Sequence, residues 1–204
     1  MLTKKKGYSL VELMLALLLG SVLLAMVIGL YLTSISSGAK SLKYSRLRTD
    51  LQSIMSMMEA DVRRAGYGGG DFLVGNGGTK VVDSVSSGTS SCLIYSYKDD
   101  NKSHAPSTYR KGFRLSNNEI QYGSNDVTPI DPLVDNCYSA AGGWEGLSDK
   151  NFIKITDLTF TESVVPSAAV SIRSVAIHLS GELVADSNYK HTIDTRIQVR
   201  NIEF

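Results

Sequence analysis

Two hydrophobic periods succeed one another along the chain. From Leu13 to Leu32 the residues are apolar on every side of a helix, interrupted only by Gly20, Ser21, Gly29 and Tyr31. Twenty residues at 1.5 Å rise cover about 30 Å, the thickness of a bilayer's hydrocarbon core. This predicts a membrane-spanning helix. After the polar interval Thr33 to Ala39, a different pattern begins. Leu47, Leu51, Ile54, Met55, Met58 and Val62 recur at three- and four-residue spacing, with Arg46, Arg48, Asp50, Gln52, Glu59 and Arg63 between them. That spacing predicts an amphipathic helix with one apolar face. No proline interrupts Tyr8 to Ala65, so a single helix of 58 residues is expected. Arg63 and Arg64 suit the negative end of its dipole, and Gly66 is a natural stop.

Beyond the glycines Gly66, Gly68, Gly69 and Gly70 the pattern changes to β. Cys92 to Tyr97 reads as a short apolar strand. Phe113 to Leu115 and Ile120 to Tyr122 flank Asn117-Asn118, residues that tolerate positive φ and suit a hairpin turn. Phe152 to Phe160 is apolar with a phase change near Asp157, which predicts a bulge or bend. Val175, Ile177 and Leu179 alternate with Ala176 and His178. Ile193, Thr195, Ile197 and Val199 alternate with Asp194, Arg196, Gln198 and Arg200. Period two places one face of each strand on a core and the other in water. The expected architecture is α+β: a long N-terminal helix whose amphipathic second half packs on an antiparallel sheet. Long polar loops are expected around Val74–Thr79, Lys98–Thr108 and Tyr138–Leu147. The domain reading is 1–7 leader, 8–39 membrane helix, 40–66 amphipathic helix and 67–204 exported β-rich domain.

Charge fixes the orientation. Lys4, Lys5 and Lys6 precede the span, and the first cation after it is Lys40. The positive-inside rule keeps such an N-terminus cytoplasmic and exports the remainder. A cleaved secretory signal ending near Ser37-Gly38-Ala39 is the competing reading, but the apolar run is longer than such signals use and Glu12 sits inside its start. With 204 residues, 20% charged and a formal net charge of +1, the composition excludes a disordered chain and a disulfide-dense miniprotein. It offers no support for nucleic-acid binding driven by net charge.

Glu12 is the unusual residue. A carboxylate at the edge of an apolar span is costly unless paired. A new α-amino group at Tyr8, made by cutting after Gly7, is the nearest candidate cation. Pairing within one chain is awkward, because both groups lie at the same helix end. Pairing with the amine of a neighbouring subunit suits both. The bland reading is a Glu favoured by the helix N-terminus or reaching for headgroups.

The segment Gly7-Tyr8-Ser9-Leu10-Val11-Glu12, with a basic leader before it and an apolar run after it, resembles the class III signal of type IV pilins and pseudopilins. The resemblance implies a pilin fold. It also implies cleavage after Gly7 by a prepilin peptidase, N-methylation of Tyr8 and an assembly role for Glu12. Losing Lys4, Lys5 and Lys6 would take the formal net charge from +1 to −2. Glu59-Ala60-Asp61-Val62-Arg63-Arg64-Ala65-Gly66-Tyr67-Gly68-Gly69 resembles the helix end of PilW-type minor pilins. The J-type pseudopilins of type II secretion have a similar helix exit. The strand Val175–Leu179 and the ending Thr195–Asn201 resemble PilW-type proteins too. The chain lacks the membrane-helix proline and the C-terminal disulfide loop common in major pilins, which disfavours a major filament subunit.

By this resemblance the partners are other minor and major pilins, the prepilin peptidase, the inner-membrane assembly platform and membrane lipid. The function implied is initiation or assembly of a pilus used for twitching, adhesion or DNA uptake. The exported domain would be periplasmic before it enters the filament. A membrane-anchored binding domain or adhesin outside any filament is the alternative of another class. Cys92 and Cys137 are the only cysteines and lie on the exported side, where disulfides persist. A bridge closing 45 residues would restrain the unfolded chain by about 4 kcal/mol. No cofactor, metal or catalytic role is expected. His104, His178 and His191 lack metal spacing, and His178 reads as a solvated surface residue. Asp99-Asp100-Asn101 and the group Asn125, Asp126, Asp131 and Asp135 read as polar turns rather than Ca²⁺ ligands.

Overall fold

The computed structural model describes residues 7, 9–75, 78–86, 91–99, 109–124, 143–166 and 172–199. A single helix, α1 (Leu10–Val62), contains both hydrophobic periods. The chain divides into two compact units, Met1–Lys43 and Tyr44–Phe204.

In the N-terminal unit every described residue is exposed, and the most apolar window reaches a mean hydropathy of 2.7 with none of it buried. Three of the hydroxyls here bond back to the helix itself. Ser21 Oγ donates to Leu18 O, Thr33 Oγ1 to Gly29 O and Ser36 Oγ to Thr33 O, each at 2.9 Å. Such local bonds let a hydroxyl sit on a lipid-facing helix without an outside partner. This is a helix long and apolar enough to cross a membrane.

The C-terminal unit is α+β, and here the amphipathic pattern is realised. Leu47, Leu51, Ile54, Met55, Met58 and Val62 are the buried residues of α1. The single expected sheet is two sheets. Strands β1 (Val82–Val85), β2 (Cys92–Ser96), β3 (Arg110–Ser116), β4 (Glu119–Gly123) and β5 (Trp144–Gly146) form one in simple order. Strands β6 (Ile153–Val165), β7 (Ile172–Leu183) and β8 (Asp186–Val199) form the other. All pairings are antiparallel. The apolar stripe of α1 shares one core with Leu93, Phe113 and Ile120 of the first sheet and with Ile155, Leu158, Ile177 and Ile197 of the second. Strand β2 is buried along its whole length because its other face also has cover. Cys92 and Ile94 pack there with Val74, Val85 and half-buried Trp144.

Local signals explain the turns. Asn117 and Asn118 hold φ of 52° and 60°, joining β3 to β4 through a tight turn of left-handed residues. The phase change appears as a register shift between Ile155 and Asp157, so Ile155 and Leu158 both face the core. Ile155 N donates to Asn118 O at 3.0 Å, joining the bulge to the hairpin turn of the first sheet. The helix is shorter than expected at both ends. Arg64 N reaches Asp61 O and Ala65 N reaches Val62 O, tightening the chain after Val62 before Gly66 takes φ 76°. The loop expected over Tyr138–Leu147 contains β5, and β1 arises where no alternation announced it.

Leu51→Ala removes a fully buried side chain from the shared core. It should lower the stability of the C-terminal unit by about 2–5 kcal/mol in urea unfolding of the detergent-solubilised chain. Leu17→Ala, in the exposed N-terminal helix, should leave that transition unchanged.

Candidate functional sites: the helix start and the helix exit

The N-terminal site begins at exposed Gly7; Tyr8 lies outside the described residues. Ser9 O accepts Glu12 N at 3.0 Å and Leu13 N at 3.1 Å, so Ser9 caps α1 and Glu12 falls in the first turn. There a carboxylate gains from the helix dipole. The Glu12 side chain is exposed and makes no ion pair among the described residues. Gly7 therefore lies just before the helix and Glu12 in its first turn, at the start of a bare apolar stretch. This arrangement can present one anion to another molecule.

The second site is the exit of the helix, where the motif Glu59–Tyr67 lies. Asp61 occupies the inward side of α1, three residues after Met58. Its carboxylate accepts three phenol hydroxyls. Tyr95 Oη donates to Oδ2 at 2.9 Å, Tyr122 Oη to Oδ2 at 3.2 Å and Tyr97 Oη to Oδ1 at 3.3 Å. Arg64 adds an ion pair at 3.6 Å and places its guanidinium 4.1 Å from the centre of the Tyr97 ring. Lys111 Nζ donates to Tyr97 Oη and lies 4.3 Å from the same ring centre. Tyr95 on β2 stacks with Tyr97 just past its end, and Phe113 stacks on Tyr95 and tilts against Tyr122.

This constellation makes its tyrosines poor acids. Burial pushes Tyr97 up to about 12, with the Asp61 charge adding to it and Arg64 opposing it. Tyr95 and Tyr122 are also pushed up, first by burial and then by Asp61. The neutral hydroxyls therefore remain donors to the carboxylate across the physiological range. The chain beyond is held as firmly. Gly66 N donates to Ser96 O at 2.8 Å and Lys98 N to Tyr67 O at 2.7 Å, so the exit runs along the end of β2. Gly68 has φ 107°, and a Cβ there would meet Phe72 and Lys98 at 2.6–2.8 Å. Gly68 is thus a packing requirement at the helix exit.

The remaining sequence candidates are dispersed. Gly7 and Glu12 belong to the N-terminal unit. Cys92, fully buried, opens β2 in the C-terminal unit. Its expected partner Cys137 lies outside the described residues, as do Tyr8, His104, Asp100, Asn101, Asn125, Asp126, Asp131 and Asp135. His178 is on the outer face of β7 as alternation predicts, but it is paired rather than merely solvated. Its Nδ1 lies 2.6 Å from Asp194 Oδ1 and its Nε2 3.8 Å from Asp157 Oδ2. Among the described residues no group of His, Cys, Asp and Glu is arranged to hold a metal ion. Sequence reasoning missed the role of Asp61. The available signal was a carboxylate at an inward position of the apolar stripe, matched by tyrosines at alternate positions of one strand.

Comparison with known families gives two matches. Residues 40–199 match the family described as prepilin peptidase-dependent protein B, and residues 2–28 match the prokaryotic N-terminal methylation motif. No curated protein and no solved structure matches the chain.

Two measurements check the helix-exit site. Asp61→Ala strands three phenol hydroxyls and should cost roughly 3–5 kcal/mol in chemical denaturation. Because the folded state raises the Tyr97 pKa, its contribution is complete below pH 10 and is lost as pH rises through about 12. Stability should therefore fall across that window. Absorbance titration near 295 nm should show phenols ionising later in the folded protein than in urea.

Proposed function

Because the chain belongs to the prepilin peptidase-dependent protein B family, and is thus a type IV pilin-like minor pilin, we propose that it acts as a PilW-like initiator of filament assembly. In this reading the peptidase cuts after Gly7 and methylates the new N-terminus at Tyr8. The single observation that carries the reading is the bare N-terminal helix. Its described residues through Lys43 are all exposed, and it opens with a carboxylate that has no ion pair among the described residues.

Such a helix is stable in lipid while the chain is an anchored precursor. It is equally suited to a bundle of like helices, because Leu, Val, Ile and Met side chains cover every side of it. Glu12 supplies direction. In an apolar setting an uncompensated carboxylate is costly, and the amine of a neighbouring subunit removes that cost. Pairing therefore selects one axial register between subunits. The chain's work is assembly, not catalysis. Its partners in this reading are other pilins, the peptidase and the inner-membrane assembly platform, with the C-terminal unit in the periplasm and then on the pilus. We also assign Cys92 and Cys137 as a disulfide. Its support is the full burial of Cys92 beside Val85 and Ile94, together with the export of this unit.

The test separates processing from assembly. Gly7→Ala should leave the leader attached, so that intact mass shows no methylated Tyr8 N-terminus, and should abolish incorporation. Glu12→Ala should be cleaved and methylated normally, yet its recovery in sheared pili should fall by at least about tenfold. Unchanged recovery of Glu12→Ala would overturn the pairing. Co-purification with secretion pseudopilins, without minor pilins, would move the chain to a type II secretion pseudopilus.

A further inference from the structure

Two open sheets have four edges, and the fold guards three of them. Strands β1 and β5, at the edges of the first sheet, have only four and three residues. Very short edge strands are poor templates for another chain. The outer edge of β6 is capped by a side chain. Ser86 Oγ donates to Phe160 O at 2.6 Å and accepts Phe160 N at 2.8 Å, and Ser84 Oγ bonds Glu162 alongside at 2.7 Å.

Strand β8 is the exception. It has 14 residues, stands last in its sheet and contains no proline. Its ladder with β7 runs without a bulge from Lys190 to Val199. Among the described residues no strand pairs with its outer side. Its inward side chains also thin out. Ile197 and Val199 are buried, whereas Tyr189, His191, Ile193 and Thr195 are only half-buried. An added strand would cover them.

The charges on its outward face describe the partner. Asp186 Oδ1 accepts Asn188 Nδ2 at 2.9 Å, and Asp194 is held by His178. Lys190 and Arg196 are exposed and have no ion pair among the described residues. Cations on an edge discourage indiscriminate pairing, and they favour a strand bearing carboxylates at the matching positions.

We propose that β8 is a docking edge for a β-strand of another prepilin-type subunit, with acidic side chains opposite Lys190 and Arg196. Main-chain hydrogen bonds supply the adhesion and the two cations supply the choice of partner. The class of partner rests on the assembly reading above; the edge itself does not.

The test places the photo-crosslinking residue p-benzoylphenylalanine at Thr192 in the full chain, in cells that make its own pilins. The expected product is an adduct with a second prepilin-type protein, identified by mass spectrometry. Lys190→Glu with Arg196→Glu turns two cross-strand attractions into repulsions and should reduce the adduct at least about fivefold. Lys190→Gln with Arg196→Gln should reduce it less, in the same direction. Both double variants change exposed positions and should unfold at the wild-type temperature. No adduct, an adduct with the chain itself, with lipid or with a protein lacking a prepilin signal, or an adduct insensitive to both variants would overturn the proposal. Glu12→Ala keeps the two readings apart. Normal pilus incorporation of that variant with the adduct intact faults the assembly reading alone, and impaired incorporation of that variant with no adduct at Thr192 in the chain that keeps Glu12 faults the edge alone.

Discussion

One helix must satisfy two environments, and the rest of the molecule follows from that constraint. From Leu13 to Leu32 the surface of α1 is apolar on all sides, and every described residue up to Lys43 is exposed. From Tyr44 the apolar positions collapse onto a single stripe, and that stripe becomes the centre of a core built from two sheets. Burial of six large side chains along four turns supplies the main adhesion between helix and sheets. At 1.5–3 kcal/mol for each fully buried side chain this is of order 10 kcal/mol before ordering entropy is subtracted. Neither sheet could hide its inner face without the helix.

The stripe is not directional, and Asp61 makes it so. Leucine and methionine tolerate small slides along a sheet, because dispersion contacts are numerous and individually weak. Three hydroxyls meeting one carboxylate do not tolerate them. A slide of one residue would bury an unpaired charge and three unpaired hydroxyls. The polar cluster therefore fixes the axial register of the helix end on β2 and β4. The exit of the chain through Gly66 and Gly68 then follows along β2.

Legibility in the sequence followed the range of each interaction. The stripe from Leu47 to Val62 was readable because its period is local, and all six residues are buried. The Asn117-Asn118 turn and the bulge beside Asp157 were readable for the same reason. Strand β5 is three residues, too short to show alternation, and β1 places Asp83 and Ser84 between two valines. The division into two sheets depends on which strand finds which neighbour, and no local period records that. The tyrosine cluster joins positions 34, 36 and 61 residues from Asp61. Sequence showed the motif around Asp61 and could not show its partners. At the N-terminal site Gly7 and Glu12 are neighbours in the chain, so their placement at the start of α1 was readable locally.

The division of labour along α1 is the claim on which the account stands, and a nitroxide scan of the full chain in lipid bilayers tests it most directly. Spin labels placed singly from Leu13 to Leu32 should be accessible to oxygen on every side of the helix. Labels from Tyr44 to Val62 should show accessibility minima at Leu47, Leu51, Ile54, Met55, Met58 and Val62, with a period near 3.6. Minima of that period within residues 13–32, or uniform accessibility within 44–62, would contradict it.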